Sequence, residues 1–116
     1  MNDVNGEAKD MRFILISRHT GGRQVPQNEV EKNLKDMGAW VGLLKNCTAL
    51  PTRGGKSVTS DNVEDYAGDV GGVLIFEAED MDEAIALAKK SPGLKYGWTH
   101  DVFPEISLES ASKQQR

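Results

Sequence analysis

The chain has 116 residues and a mass of 12.7 kDa, room for one domain, and its 38% apolar and 28% charged content is that of a globular protein. Fourteen Lys and Arg against 18 Asp and Glu leave a net charge of -4, the wrong sign for tracking a phosphate backbone, so nucleic acid is excluded as a direct partner. The only cysteine, Cys47, cannot close an internal disulfide or build a thiolate metal site, which excludes a disulfide scaffold and a zinc module and points to a reducing cytoplasm.

The opening Met1 to Asp10 is polar and acidic, with no basic start before an apolar stretch. No later run approaches the ~18 apolar residues of a membrane span, so neither export nor anchoring is expected. Residues 1–10 and 109–116 read as polar tails around one domain over residues 11–108.

Arg12 to Arg18 is apolar on both parities: Phe13 and Leu15 point one way, Ile14 and Ile16 the other. Such a strand is covered on both faces. Thr20 to Arg23 breaks it, and Pro26 suits a first helical turn. Val30, Leu34, Met37, Val41 and Leu44 then recur at helical spacing, with Trp40 and Leu43 widening the stripe, so a helix over Gln27 to Lys45 with Asn46 as its cap is predicted.

Cys47 to Thr52 and Lys56 to Ser60 flank Arg53-Gly54-Gly55 and predict a hairpin, with the acidic stretch Asp61 to Asp69 as a solvated loop. Gly71 to Ala78 repeats the doubly apolar pattern. Asp80 caps a short helix whose stripe is Ala84, Ile85, Leu87 and Ala88, and Ser91-Pro92-Gly93 stops it. The last strand lies within Gly97 to Ile106, with Trp98, His100 and Val102 on one side and Thr99, Asp101 and Phe103 on the other.

The resulting order, β, α, β-hairpin, β, α, β, predicts an α+β fold: a ferredoxin-like split βαβ sandwich with an inserted β-hairpin. The first and last strands are not expected to be neighbours in it. Two helices cover one sheet face only, so a second copy is expected over the other, giving a homodimeric α+β barrel.

The run Gly71 to Pro92 followed by Gly97 to Pro104, with the opening Arg12-Phe13-Ile14-Leu15-Ile16 and the Leu50-Pro51 step before a glycine turn, resembles the YCII-related family, also called the DGPF-domain family. The resemblance spans nearly all of residues 11–106 and implies a ferredoxin-like dimeric barrel. The family's His and Asp pair has no counterpart: the first helix holds no His, and Ser91 precedes Pro92. Asp65-Tyr66-Ala67-Gly68-Asp69 stands where some members carry Asp-Gly-Pro-Phe.

Candidate chemistry rests on few residues. His19, at the end of the first strand, and His100, in the last, are the candidate general bases. His100 and Asp101 are adjacent in a strand and face opposite ways, so they cannot pair with each other. Arg18 is a candidate for holding an anion, and Trp40, Tyr96 and Trp98 for lining an apolar pocket. Arg53-Gly54-Gly55-Lys56 lacks the spacing of a phosphate loop, and the carboxylates of Asp61 to Asp69 lack that of a calcium loop, so no metal or cofactor is expected. The reading is a homodimer binding a small organic molecule between sheet and helices or at the subunit interface. The alternatives are a cofactor-free lyase or isomerase with a histidine base, and a structural or regulatory interaction module.

Overall fold

A computed structural model describes residues 10–113. Four antiparallel strands form one sheet in the order β2-β5-β1-β6: β1 (Met11–His19), β2 (Lys45–Pro51), β5 (Val70–Ala78) and β6 (Trp98–Pro104). Helices α1 (Val30–Leu43) and α2 (Met81–Ala88) supply the second layer, and β3 (Lys56–Val58) with β4 (Val63–Asp65) makes a separate ribbon. The class is α+β. Among the described residues no helix is long and apolar enough to cross a membrane.

The parity argument places the core. Phe13, Leu15 and Ser17 of β1 are buried, as are Leu74, Phe76 and Ala78 of β5, so alternate residues of both central strands face the helices. Trp40 of α1, Leu44 just after it, and Ala84 and Ala88 of α2 close over them. The Trp40 indole donates to the Leu87 carbonyl at 2.9 Å, tying α1 to α2. Asp80 accepts the Glu83 N–H at 2.9 Å and Glu83 reaches back to the Glu79 N–H at 2.7 Å, satisfying two donors at the start of α2.

Four expectations need correction. First, β1 and β6 are direct neighbours, with Ser17 opposite His100 and His19 opposite Trp98. Second, the predicted hairpin does not form. β2 runs along the edge of β5, while β3 turns through Thr59 to Asn62 onto β4, where Thr59 Oγ1 accepts the Asp61 and Asn62 N–H groups at 3.3 and 3.1 Å. Third, α1 begins at Val30 after a 3-10 turn at Gln27–Glu29 and ends at Leu43. Asn46 caps nothing there; it sits at φ +50° at a register shift of β2 and donates to Glu77 at 3.0 Å. Fourth, Leu34, Leu43 and Ile85 are exposed, so the apolar stripes are narrower than their spacing implies.

At the chain ends, Ser107 opens a short exposed helix, α3 (Leu108–Lys113), which runs from the end of the predicted domain into the predicted tail. Of the other tail only Asp10 is among the described residues; its carboxylate pairs with Lys45.

The loops at one end of the sheet meet at Gly21 and Gly97, where the Gly21 N–H donates to the Gly97 carbonyl at 2.6 Å. A Cβ on Gly21 would lie 2.6 Å from the Gly97 Cα, and Gly97 has φ +88°. Glycine is required at both places. This contact fixes the turn that launches β6, and with it Trp98 and His100.

Candidate functional site

Ser17 and His100 face each other across β1 and β6, on the side that faces the helices. The Ser17 hydroxyl lies 3.0 Å from His100 Nδ1, and the Ser91 hydroxyl lies 2.8 Å from His100 Nε2. The imidazole is thus held at both nitrogens. Its ring stacks on the Trp40 indole at 5.6 Å between centroids and 6° between planes. Burial among these groups pushes the His100 pKa below its ordinary value of 6.5, against smaller opposing effects of the Thr99 backbone and Asp101, so the ring is neutral at neutral pH.

The local chain explains this. Ser91 follows α2 by three residues and caps the next turn, Pro92–Tyr96, by accepting the Gly93 N–H at 3.2 Å. Its hydroxyl is therefore fixed before it meets His100. Tyr96 closes the same turn against α1 by donating to Glu29 at 2.7 Å, a bond that also raises its phenol pKa.

Between the sheet, α1 and this turn lies a cleft of about 340 Å³, within the range of small-molecule sites. Met37 and Val41 of α1, Leu74 of β5 and Trp98 form its apolar walls, and Ser17, Ser91, His100 and Asn33 supply its polar points. Among the described residues no Asp, Glu, Lys or Arg lines it. Asn33 Oδ1 is buried without a hydrogen-bond partner, the one such side-chain atom among the described residues.

The structure brings three of the candidate residues, Tyr96, Trp98 and His100, to the cleft wall and leaves the other three off it. Trp40 backs His100 from the core. His19 lies beyond Trp98, stacked on it at 4.8 Å, with Nε2 donating to the Arg23 carbonyl at 2.6 Å. Arg18 follows Ser17 in the strand and so projects from the opposite face, where it binds Asp101 and Asp69. It is committed there and holds no anion in the cleft.

Ser17, Ser91 and Asn33 were not among the candidate residues. Two had a signal: Ser17 is polar on the inward parity of β1, and Asn33 precedes Met37 and Val41 at four-residue spacing. Ser91 carries no pattern of its own; only the resemblance points to its position, before Pro92, where the family has its Asp. Among the described residues no group of three or more His, Cys, Asp or Glu side chains is placed to hold a metal.

An α+β domain with a cleft between its two layers is the class defined so far. The sequence matches the YCII-related domain over residues 11–103, and the chain belongs to that family. The crystal structure of a hydantoinase/carbamoylase family amidase from Burkholderia ambifaria is similar with a TM-score of 0.31 and 13% identity, over 84% of this chain and 27% of that one. The chain thus spans under a third of that protein's length, and the likeness carries no argument. No curated protein matches the sequence.

Proposed function

We propose that the protein is a homodimer of ferredoxin-like subunits that binds a small, uncharged organic molecule in the cleft between sheet and α1. The observation that carries this reading is the cleft lining, which combines apolar walls with four converging polar points and no charged side chain. A charged ligand would lose its hydration there with no counter-ion in return. Cys47, the single thiol, supports a reducing compartment such as the cytoplasm.

The test titrates the protein with toluene, benzoate and benzylamine while following Trp fluorescence and the His100 ring resonances. Saturable shifts with toluene and none with the two ions are expected. Absence of any response to all three, or a stronger response to either ion than to toluene, overturns the reading.

Support for the dimer comes from the sheet face turned away from the helices. Ile14 and Ile16 of β1 lie beside Ile75 and Val73 of β5, and Phe103 of β6 beside Ile14. That makes an apolar field on a body only 19 Å thick. Burying each such side chain contributes about 1.5–3 kcal/mol, and a second sheet packed on the first would do so. Sedimentation is expected to give twice the 12.7 kDa chain mass, and Ile16→Glu to give the single mass. A wild-type monomer at micromolar concentration removes the dimer.

A second reading has one specific observation in its favour. The His100 imidazole is kept neutral by burial and touches two hydroxyls, as the base of a cofactor-free lyase or isomerase requires.

A further inference from the structure

The hydrogen-bond count around His100 does not close. A neutral imidazole carries one N–H, so Ser17, His100 and Ser91 hold three donatable protons between them. Two contacts join them, at 3.0 and 2.8 Å. Whichever tautomer is present, one serine hydroxyl proton is left over, and among the described residues neither hydroxyl has another acceptor. On the facing helix the opposite defect exists: Asn33 Oδ1 is an acceptor buried without a donor. Each unpaired buried group costs about 1–3 kcal/mol. Ser17, Ser91 and Asn33 all line the same cleft.

We propose that the ligand of this cleft is an uncharged carboxamide or lactam. Its carbonyl oxygen takes the spare serine proton, and its N–H donates to the Asn33 amide. The inference rests on the cleft reading above and specifies its ligand. An amide offers a donor beside an acceptor, so it also matches the Asn33 side chain turned the other way. A carboxylate has the acceptor but brings a charge that no lining group balances, and a ketone leaves Asn33 unpaired. Asn33 is then a specificity residue. Its helical neighbours Met37 and Val41 place the ligand's apolar body against the same wall.

The experiment compares benzamide, acetophenone, benzyl alcohol and toluene on the full chain, by calorimetry and Trp fluorescence, in wild type and Asn33→Leu. Benzamide is expected to bind wild type at least about tenfold more tightly than acetophenone or toluene, as in sites built around a ligand's hydrogen bonds. In Asn33→Leu that preference is expected to fall to about one, with toluene affinity kept or increased. The variant is expected to melt a few degrees higher than wild type, since leucine favours the helix and removes the orphaned acceptor. The melting temperature also confirms that it is folded. Ser17→Ala, a smaller change, is expected to weaken benzamide and leave toluene unaffected.

Equal binding of benzamide and toluene, or tighter binding of benzyl alcohol, overturns the carboxamide inference while the cleft reading stands. A preference for benzamide that survives Asn33→Leu does the same. Failure of all four probes to bind sinks both.

Discussion

Phe76→Ala is expected to remove about 3–5 kcal/mol of folding free energy, a cost typical of emptying a core aromatic site and a large share of the roughly 5–15 kcal/mol that holds a domain together. Phe76 is 0% exposed, and its β1 partner Phe13 is equally buried. Their rings lie 6.2 Å apart at 32°, so truncation of one also strips the other of its neighbour. β1 and β5 are the central pair of the sheet, and the rings share one buried cluster with Ala84 and Ala88 of α2, which have no bulk with which to fill a void. Urea denaturation measures the loss. Ile85→Ala is the control, since Ile85 is 40% exposed, and its cost is expected to stay below about 1 kcal/mol. Equal losses at the two sites would mean that the sheet–helix layer is not the core.

The parts of this fold that could be read from residues are those where one physical signal dominates. β1 and β5 show apolar side chains on both parities, and both form strands over the predicted residues, where they make the central pair of the sheet. The Asp80 cap and the Ser91-Pro92 stop bound α2 because each satisfies or removes a backbone donor locally. β4 was missed for the converse reason. Val63, Glu64 and Asp65 are exposed throughout, so burial imprinted no alternation on them. The choice of β5 rather than β3 as partner of β2 is a matter of sheet edges, and Gly54 at φ +70° marks a turn without saying what it joins.

The same contrast holds at the site. Parity alone places His100 and Trp98 on one face and Asp101 on the other, and the helices cover the first. Applied to β1, the rule that separated His100 from Asp101 also sends Arg18 away from Ser17, as its bonds to Asp69 and Asp101 show. That β1 lies beside β6 is not written in either strand, since both present two serviceable faces. This neighbourhood makes a site of Ser17 and His100. Asn33 and Ser91 enter only through it: one on a helix, one before a proline, they are 58 residues apart in sequence and line the same cleft.

His100→Ala is expected to cost about 2–4 kcal/mol, because it opens a void beside Trp40 and leaves the Ser17 and Ser91 hydroxyls without their nitrogens. The variant also reveals the sign of a proton linkage. Burial lowers the His100 pKa in the folded chain, so below the unfolded value of about 6.5 the unfolded chain binds a proton that the folded chain does not. The stabilisation from the neutral, buried ring is therefore present above that pH and is lost as pH falls from it toward the folded pKa. Asp101 follows the same rule in a separate window: Arg18 holds its carboxyl below 3.8, so its contribution is lost only in stronger acid. Urea midpoints at about pH 7.5 and about pH 5.5 isolate the histidine. Wild type is expected to lose more stability over that interval than His100→Ala does. If the variant keeps the wild-type slope, the titrating group lies elsewhere, and the imidazole between the two serines is not held neutral by its burial. A neutral ring is also what the unpaired proton of the cleft depends on: a protonated His100 would donate at both nitrogens and free both hydroxyls at once. Affinity for benzamide is therefore expected to change over the same interval in wild type. A benzamide affinity that stays constant while stability falls would separate the histidine's structural role from its part in recognition.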